Sequence, residues 1–541
     1  MPNPLFTQVL IVDALGSEQG VRRFTRDVIG AGPRMVAGIL AKFSISSRIM
    51  TAEQYLNEKR TEIQADHLFV SAMTMDYLAV KKVIHKWNNR SETKQSLRLL
   101  GGPIACGYPK ILPTLKFDFA IIGEAEHTLS ELIKIGLFQG DFNFERMRTV
   151  RGIAFIDSKS LIETPKAPFL TKEELNTYQA SSKHVQNYPS YQSARIFIEC
   201  VRGCSNYTRT KIQLPDGRLC NKCNICLAAD LERRMTCPLL IPPGCGYCSV
   251  PSVYGPPRSR SILNITKEIK ELLELGTFRF ILGASDFLEY QREELVAPSP
   301  LTDPRYPPPN YQEIEHLLAK IAEITAGTEV YLFIENIKAS LFTEKAAALI
   351  ASYLPNTALS IGCETGSLSH SNMLGRSSTP KEVLQAVQYA KKYNLRVHTY
   401  FIHGLPGQNL QSAIQTSNFM KKLAAEGIEK VTVYKFKPLP MSAFSEFPTP
   451  PLSSTDKASK LIVDTAIEIN RNKKQAYIGT TERVIVSETL SRDKTQAIGY
   501  PLRGGPTVLI KNAADLVNKI ISVKIDGVLS DKMVAGHKIS G

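Results

Sequence analysis

Eight of the ten cysteines in this 541-residue chain lie between Cys200 and Cys248. With no charged, apolar and small-residue leader from Met1 to Gln8, such crowding predicts metal ligation rather than disulfides. Cys204 follows Arg202-Gly203, and Cys245-Gly-Tyr-Cys248 comes about forty residues later, just ahead of a helical pattern. Three thiolates can hold a [4Fe–4S] cluster and leave one iron open to a chelating ligand. Cys200 competes for the place of first ligand, but its position inside a strand marks it as a buried, inert thiol. Between these cysteines runs Cys220-x2-Cys223-x2-Cys226, followed by Cys237-Pro238. This is close to a ferredoxin-type run with a longer last spacer and predicts a second, auxiliary [4Fe–4S] cluster. A structural zinc site with four cysteine ligands is the alternative. Four thiolates would saturate such a cluster and suit it to electron relay or to stapling the segment that carries it.

These ligands need a frame, and the chain supplies three successive patterns. Over 1–145, β-branched runs at Gln8 to Ala14, Ser47 to Ala52, His67 to Ala72, Ser96 to Gly102 and Phe117 to Gly123 alternate with amphipathic stretches. They predict an α/β fold that opens with a doubly wound, Rossmann-like parallel sheet, whose ligands sit beyond the carboxyl ends of the strands. There the sequence places Gly101-Gly102-Pro103 and Gly123-Glu124-Ala125-Glu126, either as a binding edge or as plain tight turns. A linker with a hairpin occupies 146–193. A second series spans 194–455, with strands at Ile196 to Val201, Phe278 to Gly283, Val330 to Glu335, Ala358 to Gly362, Val397 to His403 and Lys430 to Pro438, and the cysteine-rich insertion at 205–244. Six βα units predict a partial (β/α)6 barrel with its chemistry at the carboxyl ends of the strands. The last segment, 470–541, has short strands at Arg483 to Ser487, Thr507 to Ile510 and Ile521 to Ile525, with Gly504-Gly505 as a turn, and predicts a small β-barrel.

Arg-Gly-Cys204, Gly-Cys245-Gly-Tyr-Cys248-Ser, and Arg258 and Arg260 ahead of an Ile-x-x-Glu-Ile helix together resemble the radical S-adenosylmethionine (SAM) superfamily. Cys363-Glu364-Thr365-Gly366-Ser367 resembles the turn that contacts SAM in that barrel, and His403-Gly404-Leu405-Pro406-Gly407 resembles its Gly-x-Pro-Gly turn. The chain departs from the family in spreading its three cysteines, which the family keeps close together. The resemblance implies that Cys204, Cys245 and Cys248 hold the reactive cluster and that Glu364, Thr365, Gly366 and Ser367 contact SAM. It also implies that Tyr400 and His403 line SAM or substrate, and that the product is a 5′-deoxyadenosyl radical able to take hydrogen from carbon.

The two flanking segments carry resemblances of their own. Gly102-Pro103, Gly123-Glu124-Ala-Glu126-His-Thr128 and Arg151-Gly-Ile-Ala-Phe-Ile-Asp157, running to Thr164-Pro165, are similar to the cobalamin-binding module fused to many radical SAM enzymes. That implies a cobalamin site at Gly102, Pro103, Gly123 and Glu124, although the loop after Val12-Asp13 lacks the Asp-x-His-x-x-Gly element that supplies a cobalt ligand; a relic scaffold is the alternative. The final segment resembles the TRAM domain, which implies RNA binding through phosphate contacts from Lys473, Lys474, Arg483, Arg492 and Lys494; a plain solvated basic face is the alternative.

Composition narrows the classes. Hydrophobic residues make up 43% and charged residues 22% of the chain, and no apolar run is long enough to span a bilayer, so no membrane insertion and a cytoplasmic location are expected. A formal charge of +15 favours an acidic partner such as RNA. An electron donor of the ferredoxin or flavodoxin kind would serve the cluster. The leading expectation is cobalamin-dependent C-methylation of RNA or another macromolecule. The alternatives are tRNA methylthiolation, for which the first domain offers only Cys106 as a ligand, and a non-catalytic iron–sulfur RNA-binding protein.

Overall fold

A computed structural model describes residues 8–22, 26–59, 62–89, 96–139, 144–220, 223–490 and 493–539. The chain divides into two compact units, one reaching to Tyr191 and including Leu263–Gly276, the other comprising Gln192–Ile262 and Thr277–Gly541.

In the first unit, five parallel strands, β1 (Gln8–Asp13), β2 (Ser46–Thr51), β3 (His67–Ser71), β4 (Arg98–Gly101) and β5 (Phe119–Ile121), lie in the order β2-β1-β3-β4-β5. The antiparallel hairpin β6 (Ile153–Asp157) and β7 (Ser160–Glu163) extends the sheet beyond β5. The inner strands β1, β3 and β5 are near-continuous apolar runs, as in doubly wound sheets whose two faces are both covered by helices. Val12, Val70, Leu100 and Ala120 share one core with Trp87, whose indole N–H donates to Ser96 Oγ at 3.0 Å. This strand order reverses between β1 and β3, so the binding crevice opens beyond Asp13 and Ser71.

The sequence spacing assigns the helix Ile262–Glu274 to the barrel, yet Leu263–Gly276 clusters with the first unit. The reason is a buried ion pair: Arg34, fully enclosed, donates to Glu268 Oε1 at 2.7 Å, and Ser182 Oγ donates to Glu271 at 2.8 Å. A buried guanidinium is tolerated only with such a partner, so the pair fixes which body the helix joins.

In the second unit, β8 (Arg195–Arg202), β9 (Arg279–Ala284), β10 (Tyr331–Ile337), β11 (Ala358–Glu364), β12 (Arg396–His403) and β13 (Lys430–Lys435) form one parallel sheet in sequence order, an open half-barrel. Along β12 the alternation is strict: Val397, Thr399, Phe401 and His403 are buried, while Arg396, His398, Tyr400 and Ile402 occupy the other face. Capping boxes start the helices that follow, Thr379 with Glu382 on Pro380–Lys392 and Asn409 with Ser412 on Leu410–Glu426.

Five further strands, β14 (Thr481–Thr489), β15 (Ala497–Pro501), β16 (Thr507–Lys511), β17 (Ile520–Val528) and β18 (Met533–Lys538), close into a small barrel in the order β14-β15-β16-β18-β17. Strands β15 and β18 escape sequence reading because their Ala, Gly and Pro content is poor in β-formers. Their glycines are packing positions: a Cβ on Gly536 would stand 2.5 Å from Lys524 O, and one on Gly499 would stand 2.4 Å from Val484 Cγ1. This barrel docks on the amino-terminal ends of the half-barrel strands, where Arg396 Nη1 donates to Gly504 O at 3.1 Å and Ser193 Oγ to Ser487 Oγ at 3.0 Å.

Candidate active site

The cysteines gather at the opposite, carboxyl end of the half-barrel. Gly203, at φ +90°, turns the chain out of β8 so closely under Pro256 that a Cβ would lie 2.2 Å from its carbonyl oxygen. Cys204 follows at once. The forty-residue excursion then returns: Gly244 N donates to Thr208 O at 2.8 Å, and Asn206 reaches both ends of the loop, with its backbone N–H 3.5 Å from Cys204 Sγ and its Nδ2 3.4 Å from Cys245 Sγ. Gly246 lies flat against Phe444, whose ring would be 2.3 Å from a Cβ there, and Cys248 N closes the turn on Cys245 O at 2.8 Å.

Burial pushes the Cys204 thiol up to about 11 and the Cys248 thiol up to about 12, and each also feels Cys245. Such thiols ionise when a metal takes the place of the proton, which is the donor chemistry that three-cysteine ligation requires. Cys200 is not part of this group: it is fully buried within β8 and its thiol faces Ile198 O at 3.7 Å.

Glu364 ends β11 in a left-handed conformation, φ +63°. Its Oε1 is 3.2 Å from Arg376 Nη1, and the same guanidinium donates to Tyr247 OH, the residue between Cys245 and Cys248. Arg376 Nη2 donates to Gly362 O at 2.7 Å, while its buried Nε has no partner. Glu364, Arg376 and Tyr247 thus tie the turn after β11 to the cysteine loop. The other three residues of that turn have structural duties. Gly366 N donates to Thr416 Oγ1 at 3.0 Å, Thr365 Oγ1 lies 3.3 Å from both Thr416 Oγ1 and His370 Nδ1, and Ser367 caps Leu368–Met373. His370 Nε2 meets Pro406 O at 2.9 Å and so joins the two turns singled out by sequence. His403 is buried on the outward face of β12, whereas Tyr400 lies on the inner one.

A second cluster at the same end has no counterpart in the sequence reading. Asp286 and Glu289 follow β9, Lys338 follows β10, and all three are buried or nearly so. Lys338 Nζ contacts Glu289 Oε1 and lies 3.1 Å from Ser205 Oγ, beside Cys204; Lys338 N donates to Asp286 Oδ1 at 3.0 Å. Burial opposes the Lys338 charge, but the Cys204 thiolate and the two carboxylates outweigh it and hold the ammonium above its ordinary range. Burial likewise pushes Asp286 up to about 7 against the pull of Lys338. Asp286 Oδ2 and Glu289 Oε2 are enclosed and unpartnered, the state of acceptors awaiting a donor. The available signal was position alone, since polar residues at the carboxyl ends of barrel strands read as functional.

In the insertion, Cys220, Cys223, Cys226 and Cys237 form a separate group: burial raises the Cys220 thiol, and the other three add to the shift. Buried Arg209 organises it, donating to Ile241 O at 3.2 Å, Arg234 O at 3.0 Å and Met235 O at 3.3 Å, with Nη1 3.7 Å from Cys226 Sγ. Among the described residues, no three His, Cys, Asp or Glu side chains are drawn in around a single ion-sized point.

In the first unit, Asp76 ties the two loops of the crevice together, accepting from Gly16 N at 3.2 Å, Glu18 N at 2.9 Å and Met73 N at 3.0 Å. Gly102, at φ +80°, abuts the same place, with Ala72 O 2.7 Å from where a Cβ would be, and Pro103 begins the short helical turn behind it. Met73, Met75 and Leu78 stay exposed there as an apolar shelf. Gly123 and Glu124 lie farther along the sheet edge, after β5, where Glu124 Oε2 accepts from Leu170 N at 2.9 Å and so anchors the linker.

Of the basic residues expected to meet phosphate, Arg483 pairs with Glu329 at 3.1 Å, Lys473 donates to Ala424 O at 2.8 Å, and Lys474 is buried with its ammonium pushed down to about 8. Arg492 lies outside the described residues, and Lys494 is exposed. Elsewhere on the small barrel, Lys511 and Lys524 both stand in register with His537, which faces Asp526 at 2.8 Å, on three neighbouring strands, all exposed. Strand register, which sequence spacing does not carry, creates that stripe.

Residues 237–420 match the sequence profile of the Radical SAM superfamily. By this match and by the three-cysteine loop on a parallel half-barrel, the chain is a radical SAM enzyme, using SAM at a [4Fe–4S] cluster. An uncharacterised protein of Methanocaldococcus jannaschii is 43% identical over 522 residues, covering 96% of both chains. Another, of Methanopyrus kandleri, is 40% identical over 531 residues, 98% of this chain and 96% of that one. The chain belongs to the family of these two proteins. A tRNA-2-methylthio-N(6)-dimethylallyladenosine synthase of Sulfurihydrogenibium sp. is 24% identical over 293 residues, 52% of this chain and 61% of that enzyme. Two solved structures share the fold. The radical SAM methyltransferase TsrM of Kitasatospora setae, with tryptophan and a SAM analogue bound, has a TM-score of 0.55 at 12% identity, over 81% of this chain and 74% of that one. The cobalamin-dependent radical SAM enzyme OxsB, with aqua-cobalamin bound, has a TM-score of 0.52 at 14% identity, over 85% and 56%. No helix among the described residues is long and apolar enough to cross a membrane.

Proposed function

We propose that this chain is a cobalamin-dependent radical SAM C-methyltransferase acting on RNA or another macromolecule. The observation that carries the reading is the first unit: its strand order opens a crevice beyond β1 and β3, floored by the loops that Asp76 ties and edged by exposed Met73, Met75 and Leu78. An apolar shelf at a switch point suits a large, flat, largely apolar macrocycle. Cys204, Cys245 and Cys248 would hold the reactive cluster, and Cys220, Cys223, Cys226 and Cys237 a second metal centre, [4Fe–4S] or zinc. When bound, these groups supply a 5′-deoxyadenosyl radical from SAM and a transferable methyl group from cobalamin. The protein's own part is positional. Asp286 and Glu289 present free acceptors for an ammonium group, Arg376 presents a free N–H, and Lys338 offsets negative charge beside Cys204. A reducing cytoplasm, with a ferredoxin or flavodoxin as donor, suits ten free cysteines.

Methylthiolation is the second reading, favoured by the likeness to the tRNA methylthio-synthase over half of this chain. Against it, the first unit offers a single cysteine, Cys106, buried and pushed up to about 11 by that burial. Anaerobic reconstitution with iron, sulfide and hydroxocobalamin, followed by metal analysis and an assay for 5′-deoxyadenosine, separates the two. Stoichiometric cobalt supports methyl transfer; iron and 5′-deoxyadenosine without cobalt remove cobalamin from the mechanism and leave methylthiolation.

A further inference from the structure

Inside the half-barrel, on the strands farthest from Cys204, stands an aromatic pair that the chemistry described so far does not use. Tyr400 on β12 and Tyr434 on β13 stack with their planes 1° apart and ring centroids 5.9 Å apart. Tyr400 is anchored from behind by Ser360 on β11, hydroxyl to hydroxyl at 3.1 Å. Tyr434 keeps 52% of its surface exposed, an unusual exposure for a stacked tyrosine on a barrel strand. Around the pair are two carboxylates, of which Glu335 also faces Arg195 Nη1 at 3.9 Å. Glu335 on β10 acts electrostatically on both tyrosines, and Glu364 acts on Tyr434. Glu364 also belongs to the Arg376–Tyr247 link with the cysteine loop, so the platform and the cysteines share one mouth. Tyr434 lies on the edge strand of the sheet, with Lys435 and Lys437 immediately after it.

We infer that Tyr434, backed by Tyr400, is the stacking platform for a nucleobase of an RNA substrate, with Glu335 accepting from the base's exocyclic amino group. The inference deepens the proposed function by naming the substrate class of the same site, and rests on it to that extent. An exposed aromatic ring is the element that single-stranded nucleic-acid sites share, because it takes the π-face of any base. A carboxylate accepts hydrogen bonds, and the amino groups of adenine, cytosine and guanine project from the base edge to donate to it, whereas uracil offers only an N3–H set between two carbonyl oxygens that repel a carboxylate, so Glu335 favours the three amino-bearing bases.

The test is binding rather than turnover. Heptamer RNAs with A, C, G or U at the centre of an all-uridine frame are titrated into the iron-reconstituted full chain and followed by fluorescence anisotropy. The inference expects the three amino-bearing centres to bind more tightly than all-uridine RNA. It expects Tyr434→Ala to weaken them about ten- to a hundred-fold, Tyr434→Trp to keep affinity, and Glu335→Gln to erase the preference, with iron content and melting temperature of each variant as folding controls. Equal binding by Tyr434→Ala and the parent, or equal binding of all four RNAs, overturns it. So does a tryptophan-containing peptide that binds through Tyr434 and that none of the RNAs displaces, which would make the platform a protein subsite. Because the readout needs neither cobalt nor methyl transfer, a preparation that binds RNA through Tyr434 but takes up no cobalt refutes the C-methylation reading and leaves the base platform standing.

Discussion

At the scale of single residues, the cysteines make two separable groups, and their substitution sorts iron accordingly. Cys204→Ala and Cys237→Ala should each remove about half of the roughly eight irons expected of two cubanes, with 5′-deoxyadenosine formation lost outright only in Cys204→Ala. If instead the insertion holds zinc, the parent carries about four irons and Cys237→Ala leaves iron untouched, which elemental analysis reads directly. Lys338 is the residue whose removal should be felt most sharply without touching a ligand. Its ammonium faces Cys204 across Ser205, so Lys338→Met should make reduction of the bound cluster harder, moving its midpoint potential to more negative values in an EPR-monitored titration, while Lys338→Arg holds closer to the parent. Leaving Glu289 with only the more distant Arg292, 3.8 Å away, as a cation should also lower stability, measurable by denaturant unfolding. The two cysteine groups were legible because cysteine spacing is itself the signal. Lys338, Glu289 and Asp286 were not, because Asp-Phe-Leu-Glu and Ile-Lys-Ala carry no pattern until two strand ends are set side by side.

At the scale of elements, the strands that apolar periodicity describes came through within a residue or two, as at Ala358–Glu364 and Arg396–His403. What periodicity does not describe is which body an element joins or which face it shows. Arg34 and Glu268, 234 residues apart, decide the first for the helix Ile262–Glu274. Glycine-rich β15 and β18 of the small barrel lacked the β-branched signature and surface only as partners of stronger strands. The amino-terminal ends of β12 and β13 form another element-scale device: Glu429 lies 3.2 Å from Arg396 and 3.5 Å from His398. Burial works against its charge, yet His398 and Arg396 hold its carboxyl down at about 2, against an ordinary 4.5. A carboxyl depressed in the folded state contributes stability that is complete above about pH 4.5 and is lost as pH falls toward 2. The loss attributable to this group is about 3 kcal/mol, and Glu429→Gln should flatten that part of the acid-unfolding curve.

At the scale of the whole molecule, a charge of +15 is spread unevenly, and the exposed register of Lys511, His537 and Lys524 gives it a place to act. Reversing Lys511 and Lys524 to glutamate should weaken RNA binding and lower the slope of log affinity against log salt by about 0.7 for each phosphate that is no longer neutralised. Arg483→Gln, by contrast, should leave that slope alone and loosen the barrel from Glu329. The docking of the small barrel has a further consequence. It grips the amino-terminal ends of the half-barrel strands through Arg396 and Ser193, whereas the cysteine triad and Tyr434 lie toward the carboxyl ends. A strand of eight residues spans about 25 Å, so any single polymer that engages both must bridge at least that distance outside the sheet. On the RNA reading proposed above, the carboxyl-terminal unit would act as a caliper: dinucleotides and other short fragments would fill one jaw but not both, and only a substrate long enough to touch the two ends would gain the combined grip.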